Sequence, residues 1–472
     1  MRPPSRRGEV AHAMQDLTTG PILRHLVSTG GFMLFTMAFQ TLYFLADLYW
    51  MGRLGKEAVA AVGVSGNLMF VVLALTQMLG VGTTTLVAHA AGRKDTDAAR
   101  RVFNQAQGLS MLAGVLFLVA GLALTPSYAA AFAADRATAA LVRQFLWWFV
   151  PAMALQFAMV ALAAALRGIG DFKPGMVVQS ATVALNIALA PVLIFGWGTG
   201  IPLGVGGAGA ASLVAVVVGV VWLSRYVERP GSFLHFRRAE MPPDAAVWKR
   251  LLGIGLPAGV EFALIAVYMG IVYAVSRPFG AAAQAGFGIG QRVVQAGFMP
   301  IVALAFAVAP VAGQNFGARL APRVRETFRV AAVITVSGTL VLVLLCHLAP
   351  AAMIRVFSTD PAVVAVGEEY LRIVSWNFVA SGLVFVISSM FQAMGNTMPS
   401  LLTSTVRVAV VAVPAFVLAR RPDFRLTWIW YLTVLAVTLQ LAVSLWLLNR
   451  EFARRLVFVV PPAAAPGAQP VV

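Results

Sequence analysis

Of the 18 acidic residues in the chain, two lie deep inside long apolar runs, Asp47 and Glu261; the others fall in loops, tails or the ends of such runs. A charge within hydrocarbon costs at least about 2.5–3.5 kcal/mol on insertion scales, so a group of this kind faces a cavity or a partner and marks transport or proton-relay chemistry. A carboxylate in a secluded cavity can exchange a proton, and with hydroxyl or carbonyl oxygens beside it can hold a sodium ion. Glu261 sits about ten residues into its run, about 15 Å deep at 1.5 Å per residue. Two plainer roles compete with ion coupling. Asp47 is near Arg53 and could be an interfacial residue, and Glu261 could neutralise Arg292 of the next run.

Further polar residues inside apolar runs are candidates for a substrate cavity: Tyr43, Asn67, Gln77, Asn186, Gln284, Gln291, Arg292 and Asn377. Most intramembrane polar side chains make interhelical hydrogen bonds, so only a minority of these are expected on a cavity. His89 and His347 are isolated and read as structural. The single cysteine, Cys346, excludes a disulfide framework and a zinc site. No nucleophile stands with a base, and the glycine-rich stretch Gly286 to Gly290 lies in an apolar run rather than a phosphate loop. The pattern is that of a non-enzyme with no cofactor, driven by an ion gradient, proton or sodium, or by the substrate's own gradient.

The elements that position these residues are membrane spans. Across 472 residues, 60% are hydrophobic and 11% charged, against about 25% charged in a soluble domain. The net charge is +17, but the basic residues fall in short loops, where they set topology and meet anionic lipid rather than nucleic acid. Spanning takes about 20 apolar residues. Twelve runs qualify: 26–50, 60–88, 104–125, 142–165, 176–197, 208–225, 252–276, 284–313, 329–350, 372–392, 400–419 and 427–448. The second and eighth are long and glycine-containing, which suggests kinks or tilt. Placing the N-terminus inside puts 23 Lys and Arg on inner segments and 10 on outer ones, which favours cytoplasmic termini in a cell membrane. Arg420, Arg421 and Arg425 oppose that bias. Residues 1–20 read as a cytoplasmic tail without a cleaved signal peptide, and 451–472, with the low-complexity PPAAAPGAQP, as a disordered C-terminal tail.

The chain also repeats itself at an offset of 225. Gly30 pairs with Gly255, Gly55 with Gly280, Gly63 with Gly288, Gly92 with Gly317, Asp135 with Asp360, and Gly170 and Pro174 with Gly395 and Pro399. Each half holds six spans, so both enter the membrane from the same side. The expected fold is an all-α membrane protein of twelve transmembrane helices in two six-helix lobes, 21–226 and 251–450, joined by a cytoplasmic linker, 227–250. Two such bundles with a site between them suit alternating access.

DLYWMGRLGKEAVAAVG (47–63), TTTLVAHAAGRKDTDAARR (83–101), LRGIGDFKP (166–174), NIALAPVLIFGWG (186–198), GLPAGVEF (255–262), VAPVAGQNFGA (308–318) and FQAMGNTMP (391–399) together resemble the multidrug and toxic compound extrusion (MATE) family over about residues 20–450. The resemblance implies a central cavity and antiport of a cation, proton or sodium, against small amphipathic and often cationic drugs, by a monomer in lipid. It implies a coupling role for Asp47, which matches the first-helix aspartate of both bacterial branches, and for Glu261, which is similar to a seventh-helix glutamate but lies about one turn earlier. A tenth-helix aspartate of one branch falls near Ser381, and a fifth-helix aspartate of the other falls at Ala190; both are absent, while Asn186 is kept. Related families with similar lobes suggest an alternative, a flippase for a lipid-linked precursor. That activity would favour a basic cavity.

Overall fold

A computed structural model describes residues 15–458. Of the expected disordered tail 451–472, PPAAAPGAQP lies outside the described residues, but 451–455 are helical and Phe452 and Leu456 pack in a core, so the helix outlasts the apolar run. Fourteen α-helices carry the described chain: α1 (Ile22–Leu54), α2 (Lys56–Gly92), α3 (Thr96–Phe132), α4 (Arg136–Gly168), α5 (Lys173–Phe195), α6 (Val205–Val227), α7 (Ala245–Ser276), α8 (Gly280–Gly317), α9 (Ala321–Leu348), α10 (Pro350–Arg355), α11 (Pro361–Val374), α12 (Asn377–Ala393), α13 (Met398–Leu418) and α14 (Leu426–Arg455). Helix is the solution available to an apolar chain that must satisfy every backbone group internally in lipid. At 33 residues, α1 is about 50 Å long, well beyond a hydrocarbon core of about 30 Å, so it tilts or continues past the membrane faces, whereas α13 at 21 residues is about the length of one crossing.

Helices α7 and α8 follow each other within a 73-residue helical stretch, Ala245–Gly317, interrupted by the 3-10 turn Arg277–Phe279 and by Gly280 at φ +84°. The expected tenth span is not one straight helix. It is α11 and α12, bent by 58° at their junction, where Ser375 and Trp376 separate two helical stretches. Counting α7 and α8 separately, and α11 with α12 as one, gives twelve spans in two six-helix lobes.

The repeat reaches into the backbone. Left-handed or near-left-handed residues recur at the 225 offset: Gly55 and Gly280, Lys94 and Arg319, Gly170 and Gly395. Asp135 and Asp360 are matching helix caps, accepting from the amides of Thr138 and Ala362 at the starts of α4 and α11. A cap of this kind satisfies backbone donors that the first turn leaves free.

The lobes exchange their first helices. The start of α1 (Ile22, Leu26) packs in a core with Leu304, Val308 and Val386 of the second lobe, while Met51 near its end belongs to the first lobe's core. Reciprocally, Leu251, Ile254 and Ala258 of α7 pack into the first lobe, and Val272 and Val275 into the second. The linker from α6 to α7 is anchored on α3. Arg100 pairs with Glu240 at 2.9 Å, Arg101 pairs with Asp244, and Asn104 and Gln105 bond linker backbone. Residues 16–20, expected to be tail, are pinned between the lobes: Leu17 is fully buried, its amide donates to Gln314 and its carbonyl accepts from Asn315.

Candidate functional site

Contacts between the lobes gather at one end, the end carrying the linker and the start of α1. There Gly30 lies 3.6 Å, measured from an added Cβ, from the Cα of Leu304. A Cβ on Gly92 would run into the carbonyl oxygen of Gln314, and one on Gly317 into that of His89. Gly92 and Gly317 are repeat partners, and so are His89 and Gln314. The side chains follow the same symmetry. His89 Nε2 donates to the carbonyl of Ala393 at 2.6 Å, and Gln314 Nε2 to the carbonyl of Gly168 at 3.0 Å; residues 168 and 393 are again 225 apart. Thus a pseudo-symmetric clasp closes this end. His89, expected to be structural, is one half of it. The close glycine approaches between the lobes stop at Gly259, where an added Cβ would lie 2.8 Å from the Ala74 carbonyl oxygen; farther along, Gly52, Gly63, Gly66 and Gly270 would meet nothing within 4 Å, so the lobes part toward the other end.

Each lobe holds one intramembrane acid among hydroxyls and amides. In the first lobe, Asp47 of α1 lies one turn after Tyr43. The Tyr43 hydroxyl bonds Ser212 Oγ of α6 at 2.8 Å, and Asn186 Nδ2 of α5 donates to the same oxygen at 3.2 Å. One carboxylate oxygen of Asp47 and the amide oxygen of Asn186 are buried without partners. The structure therefore brings together Tyr43, Asp47 and Asn186 of the sequence candidates, and adds Ser212.

In the second lobe, Glu261 accepts hydrogen bonds from Ser388 of α12 at 3.1 Å and from Ser400 and Ser404 of α13 at 2.9 and 3.1 Å. Gln440 of α14 donates to Ser404 at 3.2 Å. The alternative partner, Arg292, is exposed and makes no ion pair among the described residues, so pairing of Glu261 with Arg292 is not what the structure contains. The nearer cation is Arg407 of α13, which stacks over the Tyr268 ring at 5.5 Å rather than pairing with the acid. Tyr268 is the repeat partner of Tyr43, and its hydroxyl likewise bonds a hydroxyl of its lobe's last span, Thr433 at 3.1 Å.

The remaining candidates are scattered. Gln291 accepts from Tyr370 at 2.5 Å, Gln284 reaches the Tyr273 carbonyl at 3.4 Å, and Asn67 is exposed. Asn377 is buried at the start of α12, beside the α11–α12 bend. Gln77 lines a small cavity where α2 and α8 meet, together with Arg167 and Gln392. The fourth apolar run was expected to end at 165, leaving Arg167 in the following loop. Helix α4 continues to Gly168, which carries that charge to the lobe interface. The serines around Glu261 were not among the expected site residues.

The profile of the MatE family matches this chain twice, over residues 33–192 and 257–418, one match in each lobe at nearly the repeat offset. The chain belongs to the MatE family. Members with similar sequences include the probable multidrug resistance protein YoeA of Bacillus subtilis, 28% identical over 87% of this chain and 90% of that protein. The multidrug export protein MepA of Staphylococcus haemolyticus is 26% identical over 80% and 83%. The FAD transporter of Shewanella oneidensis is 24% identical over 78% and 82%. Among solved structures, a MATE protein in the bent conformation superposes with a TM-score of 0.87 at 24% identity, covering 95% of this chain and 98% of that one. An outward-facing multidrug resistance MATE family transporter does so at 0.84, 24%, 93% and 98%. These neighbours share the fold. The chain is a multi-span transporter of a multidrug efflux family, in contact with membrane lipid.

Proposed function

We propose that this MATE protein exports small amphipathic molecules, cationic ones among them, in exchange for protons or sodium ions. The single observation behind this reading is that each lobe encloses one acid, Asp47 or Glu261, that has polar neighbours but, among the described residues, no ion-pair partner. A carboxylate in such a place is stable when it holds a proton, a metal cation or the positive group of a substrate. Those occupants exclude one another, which is the requirement for exchange. Alternating access follows from lobes closed at one end by the repeated clasp and parted toward the other, and from their equivalent build. The basic bias supports a cytoplasmic closed end and cytoplasmic termini, with the parted end facing outward, and in this reading the chain works as a monomer. A flippase for a lipid-linked precursor fits less well, because both polar clusters centre on an acid and Arg407 is engaged by Tyr268.

Ethidium efflux from everted vesicles, with proton and sodium gradients imposed separately, tests the reading. One of the two gradients should drive accumulation, and accumulation that depends on neither would overturn it. Reporter fusions after Arg238 and Arg450 should read as cytoplasmic; a periplasmic signal at either would overturn the orientation.

A further inference from the structure

Where α2 and α8 meet above the clasp, a cavity of about 20 Å³ is lined by Gln77, Val81, Thr84, Arg167, Phe306, Ala309 and Gln392, among others. That volume admits a particle the size of a water molecule. The lining is paired by the repeat: Val81 with Phe306, Thr84 with Ala309, and Arg167 with Gln392 are each 225 apart. The cavity therefore sits on the pseudo-twofold axis between the lobes.

The symmetry breaks in charge. The Arg167 guanidinium lies against Gly80, with Nη2 at 3.9 Å from the position of an added Cβ. No ion pair of the described residues includes it, and no hydrogen bond from its side chain is formed to them. Of the two intramembrane acids, Glu261 is engaged by serines of its own lobe and Asp47 stands beside Tyr43 of α1. The Thr84 and Thr85 hydroxyls are spent on the carbonyls of Ala164 and Gln392, whereas the side-chain amides of Gln77 and Gln392 have no protein partner among the described residues. A guanidinium with five donors and two amides with two donors each thus line one small space, and the half-buried guanidinium has no anion beside it among the described residues, a place where a negative charge is favoured.

We propose that Arg167, Gln77 and Gln392 form an anion site between the lobes, sized for chloride or for the carboxylate of an organic acid. Because the site lies on the axis, its occupant touches both lobes and is released or remade when they rock. A substrate bearing both a positive and a carboxylate group can then place the first at a lobe acid and the second at Arg167.

Binding is read without transport, so the outcome is independent of the efflux reading. Purified full-length protein is melted in chloride, acetate or the morpholine sulfonate MES at matched ionic strength. MES, a bulky sulfonate that carries no carboxylate, is the reference. Chloride should raise the midpoint saturably by about 2 °C or more. Acetate raising it at lower concentration than chloride assigns the site to carboxylates, and the reverse order assigns it to the inorganic ion. Arg167→Gln should lose the shift while keeping its size-exclusion profile. No anion-dependent shift in the wild type, or an equal shift in Arg167→Gln, overturns the proposal. If Arg167→Gln does not accumulate, Gln77→Leu and Gln392→Leu decide: half-saturation should move about tenfold, and an unchanged value in both overturns the site.

Discussion

The two lobes descend from one pattern, yet their polar interiors are built differently. In the first lobe Asp47 stands near the end of α1, beside a tyrosine whose hydroxyl is engaged by Ser212, and one of its carboxylate oxygens has no partner. In the second lobe Glu261 stands mid-way along α7 and is held by three serine hydroxyls from two helices. The repeat partner of Asp47 is Val272, and that of Glu261 is Thr36. The acids are thus not symmetry copies. In the repeat frame they lie 11 residues apart, about 16 Å along the helix axis. By contrast, the clasp of Gly92, His89, Gly317 and Gln314 kept its symmetry. Closing the lobes needs matched surfaces, whereas an acid that takes one occupant at a time needs no copy in the other lobe.

Neutralising either acid should produce the largest effect. Asp47→Asn and Glu261→Gln are each expected to lower gradient-driven dye efflux at least about tenfold, about 1.4 kcal/mol of lost coupling, with normal membrane abundance. Adding Arg292→Leu to Glu261→Gln should restore nothing, since the two do not pair. A wild-type rate from either single variant would remove that lobe's acid from the exchange.

Crowding the clasp comes next. Gly92→Leu and Gly317→Leu each push a side chain into the facing carbonyl. Overpacking costs about 1–3 kcal/mol, so the closed arrangement should lose population by about 5–150-fold. Similar effects are expected from both, measured as increased labelling of a cysteine placed at Thr84. Strongly unequal effects would deny the clasp its symmetry.

Much of this architecture was legible in the sequence. The twelve spans and the repeat follow from apolar run length and from glycines at one offset, because both are dictated by local backbone and packing demands. Asp47 and Glu261 stand out in the sequence because a charge in lipid is conspicuous. The serines at 388, 400 and 404 do not, since a serine in a span commonly bonds its own helix and carries no signal of what faces it. Arg167 reads as a loop residue because the apolar run ends before the helix does. The bend between α11 and α12 has no proline or glycine at the junction to announce it. His89 could have been read differently: the offset that aligned the glycines also aligns it with Gln314, and Gly168 with Ala393.

The clasp's hydrogen bonds should matter more modestly, and not equally. Gln314 is fully buried and also accepts from the Leu17 amide, while His89 makes a single bond. Gln314→Leu is expected to lower unfolding stability by about 1–3 kcal/mol, and His89→Leu by about 1 kcal/mol, compared as melting midpoints in one detergent. The reverse order would mean that the N-terminal segment is not held as the structure has it.

Smallest are the paired tyrosines. Tyr43→Phe removes a hydroxyl beside Asp47 and should slow efflux by about 2- to 10-fold, the worth of one hydrogen bond. Tyr268→Phe keeps the ring under Arg407 and should stay within about twofold. Equal losses would indicate that the two lobes do the same chemistry.

The account turns on cation and drug competing for the lobe acids, and dye affinity tests that most directly. Fluorescence anisotropy of ethidium on the purified protein should report weaker binding as pH falls or as sodium rises, whichever ion couples, because a proton or a sodium ion on the carboxylate removes the charge that draws the dye. In Glu261→Gln that dependence should flatten. Affinity indifferent to both ions in the wild type, or an undiminished dependence in Glu261→Gln, would contradict the exchange at this acid.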